Sequence, residues 1–557
     1  MNKKVCSFPI LFALLSLLIG TCAVVFPASA QAAPTPTGSI TVSGTVASSY
    51  DAYQIFSANV VDGDSDAKIA TDLAWASDAV RDAALPVLHS AGMPNSQATA
   101  QEAAEWLNTD SRLTIALSAQ LARSLQSSGA VSMAPLNAGT AAKLSCGYWL
   151  IVADDDAVAQ GEAGTAPIMA LVGGSAVTVK PKAATPKVSK HVLEDSTAAW
   201  QKAADATVAD DLYWRLSATV PAGLAAYDTY TVRFVDTMSA GLDSSKVAAS
   251  MRVYVAAGAD GGFDAVSANK DGRAGTEPAK GWTDITAQCA TKVAADGKTF
   301  TVRTGDLIAA LGGADAFTAG ARVVAVYNAP LNSACNHGIA KGNPNEVYLR
   351  YPRSPFADQS GDAGFTHTPS DDACAYTWDL ALTKRGSDGD KPLAGAVLSI
   401  ADDRGRTLSA DGTWDAEGKA TVTTGEDGRV TVSGVDSGKL EVRELKAPKG
   451  YTAFEGMCSV TVKAEGLDVD QVAAAKPKLT ITAESPLRAD SADGSTGSLE
   501  ASLINTPTGT PPSITTGGFM PSTGDMAMYA AAAAAVAGAA LIVVALLVKR
   551  GGGSHKE

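Results

Sequence analysis

Polar side chains placed in step with apolar ones are the strongest constraint on how this chain folds. Trp378, Leu380, Leu382 and Lys384 recur at every second position, and in a strand alternate side chains share a face. Lys384 therefore points with the apolar set. Leu440, Val442 and Glu444 repeat the pattern, as do Ala501, Leu503 and Asn505. An earlier stretch has the same arrangement in Val188, Lys190 and Val192, in Val232, Phe234 and Asp236, and in Asn345, Val347 and Leu349. Glu346, beside Asn345, falls on the opposite, solvent-facing side. A two-residue period belongs to strands and not to helices. The chain is thus read as mainly β, with two modules whose interiors each contain a lysine, a carboxyl and an asparagine.

An unpaired charge in such an interior is costly, so lysine and carboxyl must pair or neutralise each other. A conventional buried salt bridge beside an amide is one outcome. The other is reaction: a neutral amine next to an asparagine carboxamide, with a protonated carboxyl to polarise the carbonyl and relay protons, can form an amide and release ammonia. Desolvation is the usual way to activate a lysine nucleophile. The segment Pro392-Leu393-Ala394-Gly395-Ala396 after Lys384, and Glu444-Leu445-Lys446-Ala447-Pro448-Lys449-Gly450-Tyr451 later, resemble the Cna-B-type domains of Gram-positive pilins. That resemblance implies tandem Ig-like sandwiches, a Lys384–Asn505 bond, and Glu444 as the catalytic carboxyl. Pro186-Lys187-Val188-Ser189-Lys190, the strand ending Asp236-Thr237-Met238, and Asn343-Pro344-Asn345-Glu346-Val347-Tyr348-Leu349 resemble the fimbrial isopeptide-forming D2 domain. Carried over, Lys190 bonds to Asn345 with Asp236 assisting. Both are single-turnover self-reactions, so no enzyme activity and no cofactor are expected.

Both chain ends carry address signals. Residues 1–30 have a basic start (Lys3, Lys4), an apolar core and Ala28-Ser29-Ala30, the pattern of a secretory signal peptide; cleavage after Ala33 would serve as well. At the other end, Met520-Pro521-Ser522-Thr523-Gly524 precedes an uncharged run over 526–548 and a short tail, 549–557, that opens with Lys549-Arg550. The run is long enough to span a bilayer as a helix, and the basic pair holds its end at the cytoplasmic face. Together these resemble a Gram-positive cell-wall sorting signal of the Leu-Pro-x-Thr-Gly type, with Met520 in place of leucine. The formal charge of −14 disfavours nucleic acid as a partner.

Between the ends, the chain divides into modules at 34–182, 183–353 and 374–506, with connectors at 354–373 and 507–519. The first module opens with the alternating Ile40, Val42 and Val46 and has no lysine in phase, so no internal cross-link is expected there. It contains a helical insert from Ala98 to Leu125, in which Leu113, Leu117, Leu121 and Leu125 recur every four residues as a core stripe. It ends in Val177-Thr178-Val179-Lys180-Pro181-Lys182, which resembles the pilin motif of shaft subunits. By that resemblance a class C sortase cleaves Thr523–Gly524, and the Lys182 amine of another copy resolves the acyl group. Lys187 is the alternative acceptor. Repetition builds a covalent head-to-tail fibre, an open heterologous assembly. A housekeeping sortase would end growth by transfer to peptidoglycan, with minor pilins and an unknown host ligand as further partners. The alternatives are a wall-anchored adhesin that is never polymerised, and a minor or basal pilin.

Five cysteines remain after export, where disulfides are permitted. Cys374 with Cys458 and Cys289 with Cys335 are the candidate pairs, which leaves Cys146 as a buried thiol. Asp62-Gly63-Asp64-Ser65-Asp66 begins like a calcium loop but has Leu73 at the twelfth position, so it is read as a polar turn. Cys335 and His337 have no further ligands that would make a zinc site. No metal is expected.

Overall fold

The computed structural model describes residues 36–64, 67–181, 185–221, 224–258, 281–318 and 320–509. The expected signal peptide over 1–30, Lys182, the expected sorting motif over 520–524 and the apolar run 526–548 all lie outside the described residues. Among those described, no helix is long and apolar enough to cross a membrane. The chain is mainly β, in three consecutive modules each built on two sheets.

In the first module a five-stranded sheet (Lys68–Trp75, Ser49–Asp62, Gly147–Ala153, Ile168–Val172, with Ala134–Asn137) faces a small sheet of Ala142–Ser145, Thr37–Val42 and Val177–Val179. Ile40, Val42, Tyr50, Ile151 and Val172 fill the space between them. Three helices cover the outer face of the larger sheet: Asp78–Ser90, Ala100–Asn108 and Ile115–Ser127. Thr99 and Glu102 form a reciprocal capping box on the second helix, while Ser77 and Thr114 cap the other two. The leucine stripe is core as read, with Leu117, Leu121 and Leu125 buried. The insert begins a helix earlier than the sequence suggests, at Asp78. Val80, Ala84, Leu85 and Leu88 form a buried stripe there, interrupted in sequence by Pro86.

The second module is a sandwich of a six-stranded and a seven-stranded sheet. Its core runs through Trp214, Leu216, Phe234, Phe300, Val323, Tyr327 and Val347. The third pairs a four-stranded sheet (Arg429–Val435, Trp378–Gly386, Ser498–Asn505, Leu487–Asp493) with a seven-stranded one centred on Val397–Ala401 and Gly438–Lys446. Its first and last strands lie side by side and parallel, with Leu382 opposite Ala501 and Gly386 opposite Asn505.

Two sequence readings need correction. The stretch 354–373 is not a featureless connector. Phe365–His367 and Asp371–Tyr376 both pair with Asn343–Pro352 and complete the second module's sheet. Phe356, just before them, packs against the helical core of the first module. Cys374 therefore belongs to the second module, and the third begins at Trp378.

The cysteine pairing also differs. All five described cysteines are free thiols. Cys374 lies on Asp371–Tyr376, between Ala203–Asp205 and Asn343–Pro352 of the second module's sheet, with its side chain packed into the third module's core. Its thiol donates to the Ala375 carbonyl at 3.7 Å, while that of Cys458 donates to the Val442 carbonyl at 3.5 Å. Cys289 is likewise unpaired with Cys335, its Sγ donating to the Ile285 carbonyl at 3.3 Å. Burial pushes the thiols of Cys289, Cys335, Cys374 and Cys458 up to about 11, which holds them in the protonated, unreactive form. Cys146 is buried, as expected.

Candidate functional site

The alternation that put Lys384, Glu444 and Asn505 in phase with the core places all three inside it. Lys384 is fully buried, Asn505 3% exposed and Glu444 6% exposed. Lys384 and Asn505 sit on the adjacent parallel strands of the four-stranded sheet, and Glu444 reaches them from the facing sheet. The Lys384 amine donates to Asn505 Oδ1 in a short contact and stands 3.3 Å from Glu444 Oε1. Asn505 Nδ2 donates to both glutamate oxygens, each at 2.9 Å. The Phe454 amide donates to Glu444 Oε2 at 2.7 Å and fixes the carboxyl. Burial brings the Lys384 amine down to about 8, against the opposing pull of Glu444. An amine, a carboxamide and a carboxyl are thus within touching distance of one another.

The second site spans its sandwich in a different way. Lys190, on Val188–Glu194, comes from the six-stranded sheet; Asp236 and Asn345, on Arg233–Met238 and Asn343–Pro352, come from the seven-stranded one. All three are fully buried, while Glu346 is exposed as expected. Lys190 Nζ and Asp236 Oδ2 form a short contact. Burial drives the two groups toward neutrality from both sides, lowering the lysine to about 8 and raising the aspartic acid. Asn345 does not meet the amine directly. Its Nδ2 donates at 2.8 Å to the hydroxyl of Tyr327, which also accepts from Lys190 at 3.0 Å and donates to Asp236 at 3.0 Å. Sequence reading missed Tyr327. It lies on Arg322–Asn328, where every residue from Val323 onward is buried, so no alternation marks its hydroxyl.

Next to this site, the edge of the sheet is held by a second lysine. Lys202 donates to the Lys190 carbonyl at 2.9 Å, to the Asp372 carbonyl at 3.1 Å and to Asp371. Three acceptors satisfy all three ammonium protons, so Lys202 is a structural cation. Among the described residues, the first module offers no comparable trio. Its Lys68 is held by Asp62 at 3.0 Å and by the carbonyls of Gly173 and Ser175. Asp62 thus works as a turn anchor: hydrogen bonds from Ser175 and Lys68 hold its carboxyl down at about 2. Val177–Val179, which leads to Lys182, runs parallel to Thr37–Val42. Lys187, the other acceptor considered, is exposed.

Residues 379–476 match the family described as SpaA, prealbumin-like fold domain. Over 134 residues the chain is 31% identical to the trypsin-resistant surface T6 protein of Streptococcus pyogenes serotype M6, covering 23% of each chain. The chain therefore spans less than a quarter of that relative's length. Among solved structures it is similar to the T6 backbone pilin of serotype M6 Streptococcus pyogenes, with 17% identity, TM-score 0.44, and coverage of 86% of this chain and 100% of that one. It is also similar to the full-length major pilin SpaD from Corynebacterium diphtheriae, with 14% identity, TM-score 0.40, and coverage of 85% and 98%.

Proposed function

We propose that the chain is the shaft subunit of a sortase-assembled surface fibre, hardened by two internal Lys–Asn amides. The observation that carries this reading is the Lys384–Glu444–Asn505 cluster. Three polar groups are sealed in an apolar core with the amine already against the carboxamide, and the strands they would join are the first and last of the module. A pull on the ends of a sandwich unzips it from its terminal strands. A covalent bond between those strands carries the load instead and spares the hydrogen-bonded ladder. In the Lys384 reaction the amine attacks Asn505 Cγ. Glu444 passes a proton from Nζ to Nδ2, and ammonia leaves. Lys190 and Asn345 form the second amide, with Asp236 as the assisting carboxyl. These are self-reactions of one turnover, not enzyme activity.

The matched domain family and the T6 relative, a surface protein, support a place outside the cell. The sorting signal and Lys182 extend that reading to polymerisation: a class C sortase joins the Thr523 carbonyl of one copy to the Lys182 amine of the next. Wall anchoring through a housekeeping sortase completes it. Two measurements test the proposal together. The intact mass of the purified extracellular part is expected to fall short by about 17 Da per amide, through loss of ammonia, with one deficit removed by substituting Glu444 and the other by substituting Asp236. In cells carrying the sortase, Lys182→Ala is expected to abolish high-molecular-weight ladders. Persistent ladders would move the acceptor to Lys187 or another amine; ladders absent from unsubstituted cells would favour a wall-anchored adhesin.

A further inference from the structure

The two lysine sites move their protons by different routes. In the third module Glu444 itself touches both ends of the transfer, the amine at 3.3 Å and the leaving nitrogen at 2.9 Å. In the second module Asp236 contacts Lys190, but its link to Asn345 runs through the Tyr327 hydroxyl. A phenol has one hydrogen to donate and two lone pairs to accept with. Tyr327 uses all three, donating to Asp236 and accepting from Lys190 and Asn345. The ring is held edge-on to Phe300 at a centroid distance of 4.8 Å, so the hydroxyl is fixed in place. Asn345 Oδ1 and Asp236 Oδ1 are both buried without a hydrogen-bond partner. The carboxamide is therefore held through its nitrogen alone, and can turn its carbon to the amine without breaking a bond at its oxygen.

We propose that Tyr327 is a catalytic residue of Lys190–Asn345 bond formation, carrying a proton from Asp236 to the departing nitrogen. This rests on the reading that the second site reacts. In the step, the bond from Lys190 Nζ to Asn345 Cγ forms and the Cγ–Nδ2 bond breaks. One Nζ proton passes to Asp236, Tyr327 gives its hydroxyl proton to Nδ2, and Asp236 returns a proton to Tyr327. Ammonia leaves, both acids are restored, and nothing is oxidised or reduced. Burial holds the phenol well above its usual range, so it carries its hydroxyl proton when the step begins.

The test follows both cross-linked peptides by mass mapping of the pulse-labelled full chain, with the third module as internal control. In Tyr327→Phe, which keeps the ring and loses the hydroxyl, the Lys190–Asn345 peptide is expected to form at least about tenfold more slowly, in line with general acid–base catalysis. The Lys384–Asn505 peptide is expected at its usual rate. Both forming at unsubstituted rates would overturn the role of Tyr327. Absence of the Lys190–Asn345 peptide from the unsubstituted chain would instead overturn the reaction itself, and Tyr327's part with it. Should Tyr327→Phe fail to fold, the same ratio is read in a chain grown with 3-fluorotyrosine, which fills nearly the same space with a more acidic phenol. A changed second-to-third ratio supports the relay, and an unchanged one rejects it.

Discussion

At the scale of single residues, the question is whether a buried lysine is a paired cation or a masked amine. Lys384 is fully buried, and burial takes it from its usual 10.5 to about 8. The sign of its effect on stability follows from linkage. Between about 8 and 10.5 the unfolded chain binds the extra proton and the folded chain does not, so stability rises with pH across that window. An ordinary lysine salt bridge, which raises the folded value, would lose stability on the way up. In Asn505→Ala, where no amide can form, the urea midpoint is expected to increase from about pH 7.5 to about pH 9.5. A midpoint that falls over the same interval would show a retained cation and favour the conventional salt bridge. Which polar side chains meet in the core was mostly legible in sequence, because a charge in phase with apolar neighbours is carried inside with them. Tyr327 was not legible. A tyrosine inside an all-buried strand has the same pattern as a phenylalanine, and only the sheet opposite shows what its hydroxyl touches.

At the scale of elements, the third module turns on the parallel pairing of Trp378–Gly386 with Ser498–Asn505. The amide would close a loop between residues 121 apart in sequence. Treated as an entropic cross-link, a loop of that length is worth about 5 kcal/mol. Glu444→Gln keeps the shape of the side chain but removes the acid. It is expected to leave the amide unformed and to lower the module's Tm by on the order of 20 °C in calorimetry. A Tm within a few degrees of the unsubstituted chain would mean that the bond either forms without Glu444 or contributes little. Elements were legible where a strand has one buried face and where a leucine repeat runs unbroken along a helix. They were hidden where the pattern is interrupted: Pro86 breaks the stripe of Asp78–Ser90, whose helix is rescued by burial of Val80, Ala84 and Leu88. Cys374, Tyr376 and Trp378 read as one alternating strand, yet the chain leaves one sheet at Tyr376 and enters another at Trp378. Cys374 thus sits on the second module's sheet and Cys458 on the third's, and each keeps a free thiol.

At the scale of the whole molecule, hydrogen bonds and ion pairs cross both joints between modules. Arg123 of the first module donates to the Ala226 carbonyl at 2.6 Å and pairs with Asp228 at 3.0 Å, its guanidinium over Phe356. At the next joint, Asp205 accepts from Trp378 Nε1 at 2.6 Å and from the Ser437 amide at 3.0 Å, while Arg406 pairs with Asp210. Gly434 sits there with φ +70°, and its carbonyl accepts from the Val208 amide at 2.9 Å. A Cβ at Gly434 would lie 2.3 Å from Val208 Cγ2. Gly434→Ala is thus expected to cost about 1–3 kcal/mol through overpacking and a strained backbone. Scattering should report a less rigid pair of modules, with both amides still formed; an unchanged profile would show that the joint tolerates the clash. The sequence alone determined the β class and the buried ionisable trios, because period and phase are local properties of a chain. Tertiary structure alone decided where the second module ends, which cysteines stay apart and what lies between Asp236 and Asn345. Those depend on strands distant in sequence meeting across a sheet or a joint, and no local pattern records such meetings.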